Sequence, residues 1–128
     1  MNILLDTQAL LWFILDDNRL SKNGKEYIMN AEGSVFVSPA SLWELAIKIS
    51  LGKYSLAEPF LFFWNKQLQH NDFTLLNIDI KHTARLTELP FYHRDPFDRL
   101  IIAQSLEEKI PLVSSDSMFD KYTVNRIW

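Results

Sequence analysis

The sequence contains no cysteine, and this absence excludes several classes of protein. Without cysteine there is no disulfide framework, no cysteine-ligated zinc or iron–sulfur centre and no cysteine nucleophile. The absence suits a reducing compartment, so we expect the protein in the cytoplasm. No apolar stretch reaches the ~18 uncharged residues that a membrane-spanning helix needs. Residues 8–15 are apolar, but acidic residues flank them and no basic segment precedes them, which argues against a signal peptide.

A surplus of positive charge is also missing. The 128 residues carry 13 Lys and Arg against 16 Asp and Glu, a formal net charge of −3. A protein that binds nucleic acid through charge alone is basic. Either nucleic acid is therefore not the partner, or some of the carboxylates bind a cation that reverses the local charge.

The residues that are present are typical of one folded domain. The length lies in the range of roughly 100–200 residues that a single domain occupies. With 48% hydrophobic and 13% aromatic residues, the chain has enough apolar side chains for a sizeable core. We therefore expect residues 1–128 to form a single domain.

Short apolar runs alternate with helical patterns from one end of the chain to the other. This alternation predicts an α/β domain, a three-layer α/β/α sandwich with a mostly parallel central sheet. Ligands of such sheets bind beyond the C-terminal ends of the strands. The predicted strands cover residues 2–5, 35–37, 73–78, 112–114 and 124–128, and the predicted helices cover residues 7–15, 21–31, 39–51, 57–70, 79–88 and 96–109.

Acidic residues occupy the positions where such a sheet binds ligands. Asp6 closes the first predicted strand, and Asp116 follows the fourth. Asp98 lies in the first turn of the helix before that strand, and Glu44 lies inside the third helix. An acid after a strand or in a first helical turn can also be a simple helix cap. We assign the cap of the sixth helix to Asp95, which leaves Asp98 for the site.

Glu44 has two interpretations. The helix around it is apolar on most sides, with Trp43 and Ile47 extending the apolar surface, and such a helix is largely buried. A buried glutamate would then be available as a ligand. Alternatively, Glu44 and Lys48 form an exposed pair four residues apart, worth ~0.3–0.5 kcal/mol. The sequence leaves both interpretations open.

The four acids have a chemical meaning if they meet at one edge of the sheet. Carboxylates ~4 Å apart repel each other by several kcal/mol at an effective dielectric constant of ~20. Such a cluster persists only when protons or a cation neutralise it. Oxygen ligands suit hard cations such as Mg²⁺ or Mn²⁺.

Four stretches of the chain resemble the PIN-domain ribonucleases of the VapC toxin type, from bacterial toxin–antitoxin pairs. They are ILLDTQALLWFI, VSPASLWELAIK, HRDPFDRLIIAQSLEEKIPLVSSD and the terminal strand. The resemblance covers essentially the whole chain, and it implies one PIN domain over residues 1–128. It also implies that Asp6, Glu44, Asp98 and Asp116 are the metal-binding and catalytic acids, with Asp116 at the position that varies most.

The resemblance implies an endoribonuclease that depends on Mg²⁺ or Mn²⁺ and cuts single-stranded or loop RNA as the toxin of its pair. The cation would activate a water molecule and neutralise charge on the phosphate. The implied partners are RNA, a cognate antitoxin and a second copy in a homodimer. His93, Arg94 and Arg99 are candidate substrate contacts beside the site, and Lys81 and Arg85 are candidates for lining the RNA path.

Other functions remain open on the same residues. The four acids would serve equally in a metal-dependent nuclease that cuts DNA. The chain could also be a receiver-like α/β domain that binds Mg²⁺ without hydrolysis, although no Asp closes a middle strand as a receiver requires. A non-catalytic PIN domain that binds RNA or an antitoxin is a third alternative, and the presence of all four acids argues against it.

Overall fold

The computed structural model describes residues 1–128, and its centre is one sheet of five parallel strands in the order β3-β2-β1-β4-β5. The predicted three-layer α/β/α sandwich is confirmed, and every neighbouring pair of strands is parallel. The strands are β1 (Ile3–Leu5), β2 (Val35–Val37), β3 (Phe73–Leu75), β4 (Leu112–Val113) and β5 (Arg126–Ile127). The helices are α1 (Thr7–Ile14), α2 (Lys22–Met29), α3 (Pro39–Ser50), α4 (Phe60–His70), α5 (Ile80–Leu86) and α6 (Pro96–Glu108), with a 3₁₀ helix at Ser117–Tyr122.

Strand β1 is buried on both faces, as its unbroken apolar sequence predicts. Successive side chains of a strand point to opposite sides of the sheet. Ile3 and Leu5 therefore pack into one core, together with residues from α1, α2, α3 and α4. Leu4 packs into the other core, which α6 and the 3₁₀ helix help to build. The sheet thus separates two apolar cores and holds the end of β1 rigidly between them.

The strand order changes direction between β1 and β4. From β1 the chain moves outward through β2 to β3, then crosses to β4 on the other side of β1 and ends in β5. In open α/β sheets, ligands bind in the crevice beyond the strand ends at such a reversal. Asp6 directly follows β1 and Asp116 lies shortly after β4, so the fold brings both acids to this crevice.

Several elements are shorter than predicted, within the usual spread of boundary assignments. Strand β3 ends at Leu75 instead of residue 78. The carbonyl oxygen of the next residue, Leu76, accepts a hydrogen bond from Gln104 Nε2 of α6 at 2.9 Å. The 3₁₀ helix was not predicted, because six residues are too few for a clear periodicity. No helix has both the length and the apolar character needed to cross a membrane.

Helix α3 is buried on one side only, so the largely buried helix that one of the two interpretations of Glu44 assumes is not observed. Leu45 lies in the core, but Trp43 is 59% exposed and Ile47 is also exposed. The helix buries one face against the sheet and leaves apolar side chains on the other. Gly52, with φ near +73°, follows the end of this helix and stops it where the sequence predicts.

Candidate active site

Asp6 is positioned by the end of β1 and the start of α1. Its backbone N–H donates a hydrogen bond to Val113 O of β4 at 3.1 Å, which fixes the strand end. Its Oδ1 accepts a hydrogen bond from Ala9 N at 2.7 Å and so caps α1. The cap uses one carboxylate oxygen only, which leaves Oδ2 outside the cap. Capping and ligand binding therefore do not compete for this buried residue.

Glu44 combines both interpretations that the sequence allows. Lys48 Nζ lies 3.2 Å from Glu44 Oε2, so the predicted ion pair is present. The Glu44 side chain is nevertheless only 14% exposed, and its charge contributes to raising the pKa values of Asp6 and Asp98. It therefore lies within electrostatic range of both aspartates. The pair with Lys48 does not draw the glutamate away from the other acids.

Asp95 and Asp98 divide two tasks at the start of α6. Asp95 Oδ1 accepts hydrogen bonds from the backbone N–H groups of Phe97 and Asp98, at 2.8 and 3.1 Å. This confirms Asp95 as the N-cap. Asp98 lies one turn further on, is half-buried and makes no capping hydrogen bond. Its carboxylate is therefore available to the site.

Asp116 and His93 are joined by a hydrogen-bonded chain. Asp116 Oδ1 accepts from Met118 N at 3.0 Å and caps the 3₁₀ helix, while Oδ2 lies 2.7 Å from His93 Nε2. The Tyr122 hydroxyl accepts from His93 N at 2.7 Å and lies 3.1 Å from His93 Nδ1. Because the hydroxyl proton has Nδ1 as its partner, we assign the imidazole proton to Nε2. His93 then donates to Asp116 and holds its carboxylate in place.

Three potential ligands meet at this point. One ligand atom each from His93, Asp98 and Asp116 lie within 4.8 Å of one another. The pKa of Asp98 is raised to about 7, chiefly by burial; the charges of Asp95, Glu44 and Asp6 contribute to the rise, and His93 opposes it. The fold therefore brings Asp98 into electrostatic range of the other acids.

Asp6 is perturbed in the same direction. The pKa of its carboxyl is raised to about 6, chiefly by burial, and the charges of Asp116 and Glu44 contribute to the rise. Hydrogen bonds from the Ser114 hydroxyl and the Ala9 N–H act in the opposite sense. Without a cation, both Asp6 and Asp98 are partly protonated close to neutral pH. All four predicted acids thus lie together in one electrostatically coupled cluster.

The donor set of this cluster fits a hard divalent cation. Carboxylate oxygens dominate it, which is the ligand chemistry that Mg²⁺ and Mn²⁺ prefer. The raised pKa values show that burial and like charge disfavour the fully ionised cluster. A bound cation would offset that cost and displace the remaining protons.

The basic residues are arranged differently from the sequence prediction. Arg99 is 7% exposed and donates hydrogen bonds to the carbonyl oxygens of Leu89 and Pro90, at 3.1 and 2.8 Å. Its guanidinium therefore holds the loop before α6 instead of facing a substrate. Arg94 is exposed and forms no ion pair, which keeps it available as a substrate contact.

Lys81 and Arg85 lie on α5, beside the C-terminal end of α6, and are therefore too far from the site to line a path there. Lys81 pairs with Glu108 at 2.8 Å, and Arg85 pairs with Glu107 at 3.1 Å. Glu108 follows Asp98 by ten positions, or ~15 Å along the helix axis. The two cations therefore neutralise the far end of the helix.

Tyr122 is not among the site residues that the sequence predicts, and His93 is predicted only as a substrate contact. The His93 side chain is 9% exposed and faces Asp116, so it is part of the site's framework. One signal pointed to it, since His93 lies two residues before the N-cap of the helix that carries Asp98. The contact with Tyr122, 29 positions further along the chain, left no local pattern.

Comparisons with known proteins agree with this architecture. The PIN domain family model matches residues 3–125. No curated protein matches the sequence. Among solved structures, a chain of VapBC2 from Rickettsia felis, bound to a DNA fragment from its promoter, is similar to this chain. The two are 18% identical over 100% of both chains, with a TM-score of 0.73.

Two further solved structures are similar. FitAcB from Neisseria gonorrhoeae is 17% identical over 97% of this chain and 95% of that one, with a TM-score of 0.61. A toxin–antitoxin complex from Klebsiella pneumoniae is 13% identical over 98% and 96%, with a TM-score of 0.64. Identities this low show a shared fold.

Proposed function

The chain belongs to the PIN-domain family, and from this premise we propose that it is a metal-dependent endoribonuclease acting as the toxin of a toxin–antitoxin pair. Asp6, Glu44, Asp98 and Asp116 are its metal-binding and catalytic acids in this proposal. The observation that carries it is the coupled carboxylate cluster at the reversal of strand order, where two pKa values are raised by burial and like charge.

The residues of the cluster divide the work as follows. Asp6, Glu44, Asp98 and Asp116 would hold Mg²⁺ or Mn²⁺, which supplies a water of lowered pKa and neutralises charge on the phosphate. Asp6 and Asp98 must lose their protons first, so the site becomes competent as pH rises through about 6 to 7. His93 keeps the Asp116 carboxylate oriented by donating a hydrogen bond to its Oδ2, as hydrogen-bond donors around metal ligands do.

The family and the surface of the protein support the proposed partners. The similar structure from Klebsiella pneumoniae is a toxin–antitoxin complex, which supports a cognate antitoxin as a partner of this chain. Exposed apolar side chains on α3 and α4 offer area for that antitoxin and for a second copy in a homodimer. The largest of them are Trp43, Ile47, Leu61 and Phe62.

The substrate can be tested with matched oligonucleotides. Purified protein free of antitoxin and of copurified metal is incubated with one single-stranded sequence made as RNA and as DNA, with Mn²⁺, with Mg²⁺ and with a chelator. We expect internal cleavage of the RNA alone and none with the chelator. Cleavage of the DNA at an equal rate would replace the proposed substrate, and cleavage in the chelator would remove the metal from the mechanism.

A further inference from the structure

The loop between α5 and α6 exposes two consecutive aromatic rings beside the carboxylate cluster. Phe91 is 81% exposed and Tyr92 is 46% exposed. The next residue is His93, whose Nε2 lies 2.7 Å from Asp116 Oδ2. The aromatic pair therefore borders the site without taking part in it.

The backbone of this loop is fixed although its aromatic side chains are not buried. The buried Arg99 guanidinium donates to the carbonyl oxygens of Leu89 and Pro90, and the Tyr122 hydroxyl accepts from His93 N. These contacts tie the loop to α6 and to the 3₁₀ helix. A rigid loop that holds large apolar side chains in solvent is typical of a binding surface.

Positive charge accompanies both rings. The Arg99 Cζ atom lies 3.9 Å from the centroid of the Phe91 ring, and Lys121 Nζ lies 5.4 Å from the centroid of the Tyr92 ring. Arg94, two residues after Tyr92, is exposed and unpaired. Flat apolar faces next to cations match an unpaired nucleobase and its phosphate, since bases stack on aromatic rings while cations attract the backbone.

We propose that Phe91 and Tyr92 form a stacking platform for unpaired bases of single-stranded RNA and guide the strand towards the carboxylate cluster. The inference rests on the proposed nuclease function and adds two residues that hold the bases of its substrate. Paired bases already stack within their own helix, so the platform favours single strands over duplexes. The free face of the Phe91 ring takes a base, because Arg99 lies close to the ring on its protein side.

Steady-state cleavage of a single-stranded oligoribonucleotide tests the platform. Phe91→Leu and Tyr92→Leu keep apolar bulk but remove the aromatic face, so each should raise KM roughly 5- to 100-fold with kcat unchanged. Phe91→Trp should retain a wild-type KM or lower it. The matched control is Tyr27→Leu, since Tyr27 on α2 is also an exposed aromatic residue and lines a pocket with Met1, at the opposite end of β1 from Asp6. An unchanged KM in Phe91→Leu, or an equal change in the control, would overturn the platform.

A binding measurement separates this inference from the nuclease proposal. Single-stranded RNA carrying 2-aminopurine is titrated onto the Asp98→Asn protein, alongside an abasic oligonucleotide of the same length. We expect fluorescence quenching that Phe91→Leu weakens, with little change in the weaker binding of the abasic strand. Equal losses for both oligonucleotides would show charge attraction without stacking and overturn the platform.

The two proposals fail in different ways. If the wild-type protein cuts no RNA but still quenches 2-aminopurine through Phe91, the nuclease proposal fails and the platform stands. If it cuts RNA with the same KM in Phe91→Leu, the platform fails and the nuclease stands. If Phe91→Leu loses binding to a partner protein but binds RNA as tightly as the wild type, Phe91 belongs to a protein interface and the platform is overturned. Melting temperatures of all variants show that each one is folded.

Discussion

Two clusters of the same residue types lie at opposite ends of α6. At one end, ligand atoms of His93, Asp98 and Asp116 lie within 4.8 Å of one another, and at the other end those of Asp79, His82 and Glu108 do the same. Distance alone would make both of them metal centres. Their charges separate them.

The His82 cluster is already balanced. Lys81 Nζ lies 2.8 Å from Glu108 Oε1, and His82 Nε2 lies 2.9 Å from the same oxygen. His82 Nδ1 accepts a hydrogen bond from Asp79 N and completes the cap of α5. The hydrogen bonds from Lys81 and His82 lower the pKa of Glu108, so its carboxylate is stable without any ion.

The His93 cluster, taken together with the neighbouring acids Asp6 and Glu44, is not balanced. The pKa of Asp98 is raised to about 7 and that of Asp6 to about 6, chiefly by burial. The only cation paired with an acid of this cluster is Lys48, on Glu44. A group of carboxylates that the protein leaves short of positive charge is a candidate for binding it from solution. Charge balance, more than proximity, therefore distinguishes the candidate metal site from the structural network.

The largest expected effect contrasts one acid from each cluster. Asp98→Asn should lower RNA cleavage by at least ~10²-fold, because it removes a charged metal ligand. Glu108→Gln should leave cleavage unchanged and lower the free energy of unfolding by about 1 kcal/mol, since His82 loses a charged hydrogen-bond partner. Cleavage assays and urea unfolding of both variants provide the measurement.

Asp95→Asn is the matched control for this contrast. Asparagine caps helices as well as aspartate does, so the variant removes a neighbouring charge and keeps the N-cap. It should retain most of the activity. Full activity in Asp98→Asn, or loss of activity in Glu108→Gln, would reverse the assignment of the two clusters.

Metal-linked stability is the next effect in size. A cation that binds only the native state stabilises it by about 2.7 kcal/mol at a hundredfold excess over Kd. Binding must displace the protons of Asp98 and Asp6, so Mn²⁺ should raise the melting temperature more at pH 8 than at pH 5.5. Asp6→Asn should remove most of the rise, whereas His82→Gln should not. A melting temperature that Mn²⁺ does not change at either pH would show that the His93 cluster does not bind this metal.

The metal-free protein should show the reverse dependence on pH. The carboxyls of Asp98 and Asp6 have folded-state pKa values above their usual value of 3.8, so the folded state binds more protons than the unfolded state between about pH 4 and 7. Their contribution to stability is present below this window and is lost as pH rises through it. Urea unfolding in chelator should therefore show a smaller loss of stability from pH 5 to 7.5 in Asp98→Asn than in the wild type. Equal losses would contradict the raised pKa of Asp98.

The sequence was sufficient to predict that the acids lie close together, because their positions depend on local features. Asp6 and Asp116 follow strands, and Asp98 opens a long helix, so a parallel sheet gathers them whatever the details of packing. The exposure of Trp43 was not predictable, because it depends on which face of α3 the sheet covers. The contact of His93 with Tyr122 depends on a loop folding over a distant element, and no periodicity encodes it.

A smaller effect is expected for His93. Both clusters contain a histidine that donates a hydrogen bond to a carboxylate, and in this one His93 donates to Asp116. His93→Gln retains a donor that can reach Asp116, whereas His93→Leu does not. The leucine variant should weaken Mn²⁺ binding by ~10- to 100-fold, and the glutamine variant should recover much of that loss. Calorimetric titration measures both. Equal affinities in the two variants would mean that the histidine fills space and does not orient Asp116.

The smallest expected effect concerns Lys48, which pairs with Glu44 as Lys81 pairs with Glu108. If Lys48 neutralises the charge of the acids, the His93 cluster is a structural network like the His82 cluster. Lys48→Ala should then lower the free energy of unfolding and change Mn²⁺ affinity little. If a cation from solution neutralises the acids, Lys48→Ala should cost only ~0.3–0.5 kcal/mol of stability, as for other helical pairs four residues apart. It should then tighten Mn²⁺ binding slightly, because a competing positive charge is gone, while Glu44→Gln weakens binding and activity together. We expect this second pattern, since Lys48 is 40% exposed and solvent screens its charge from the buried aspartates. Mn²⁺ titration and urea unfolding of the two variants decide between the patterns, and equal small stability losses with unchanged Mn²⁺ affinity would remove Glu44 from the proposed ligands.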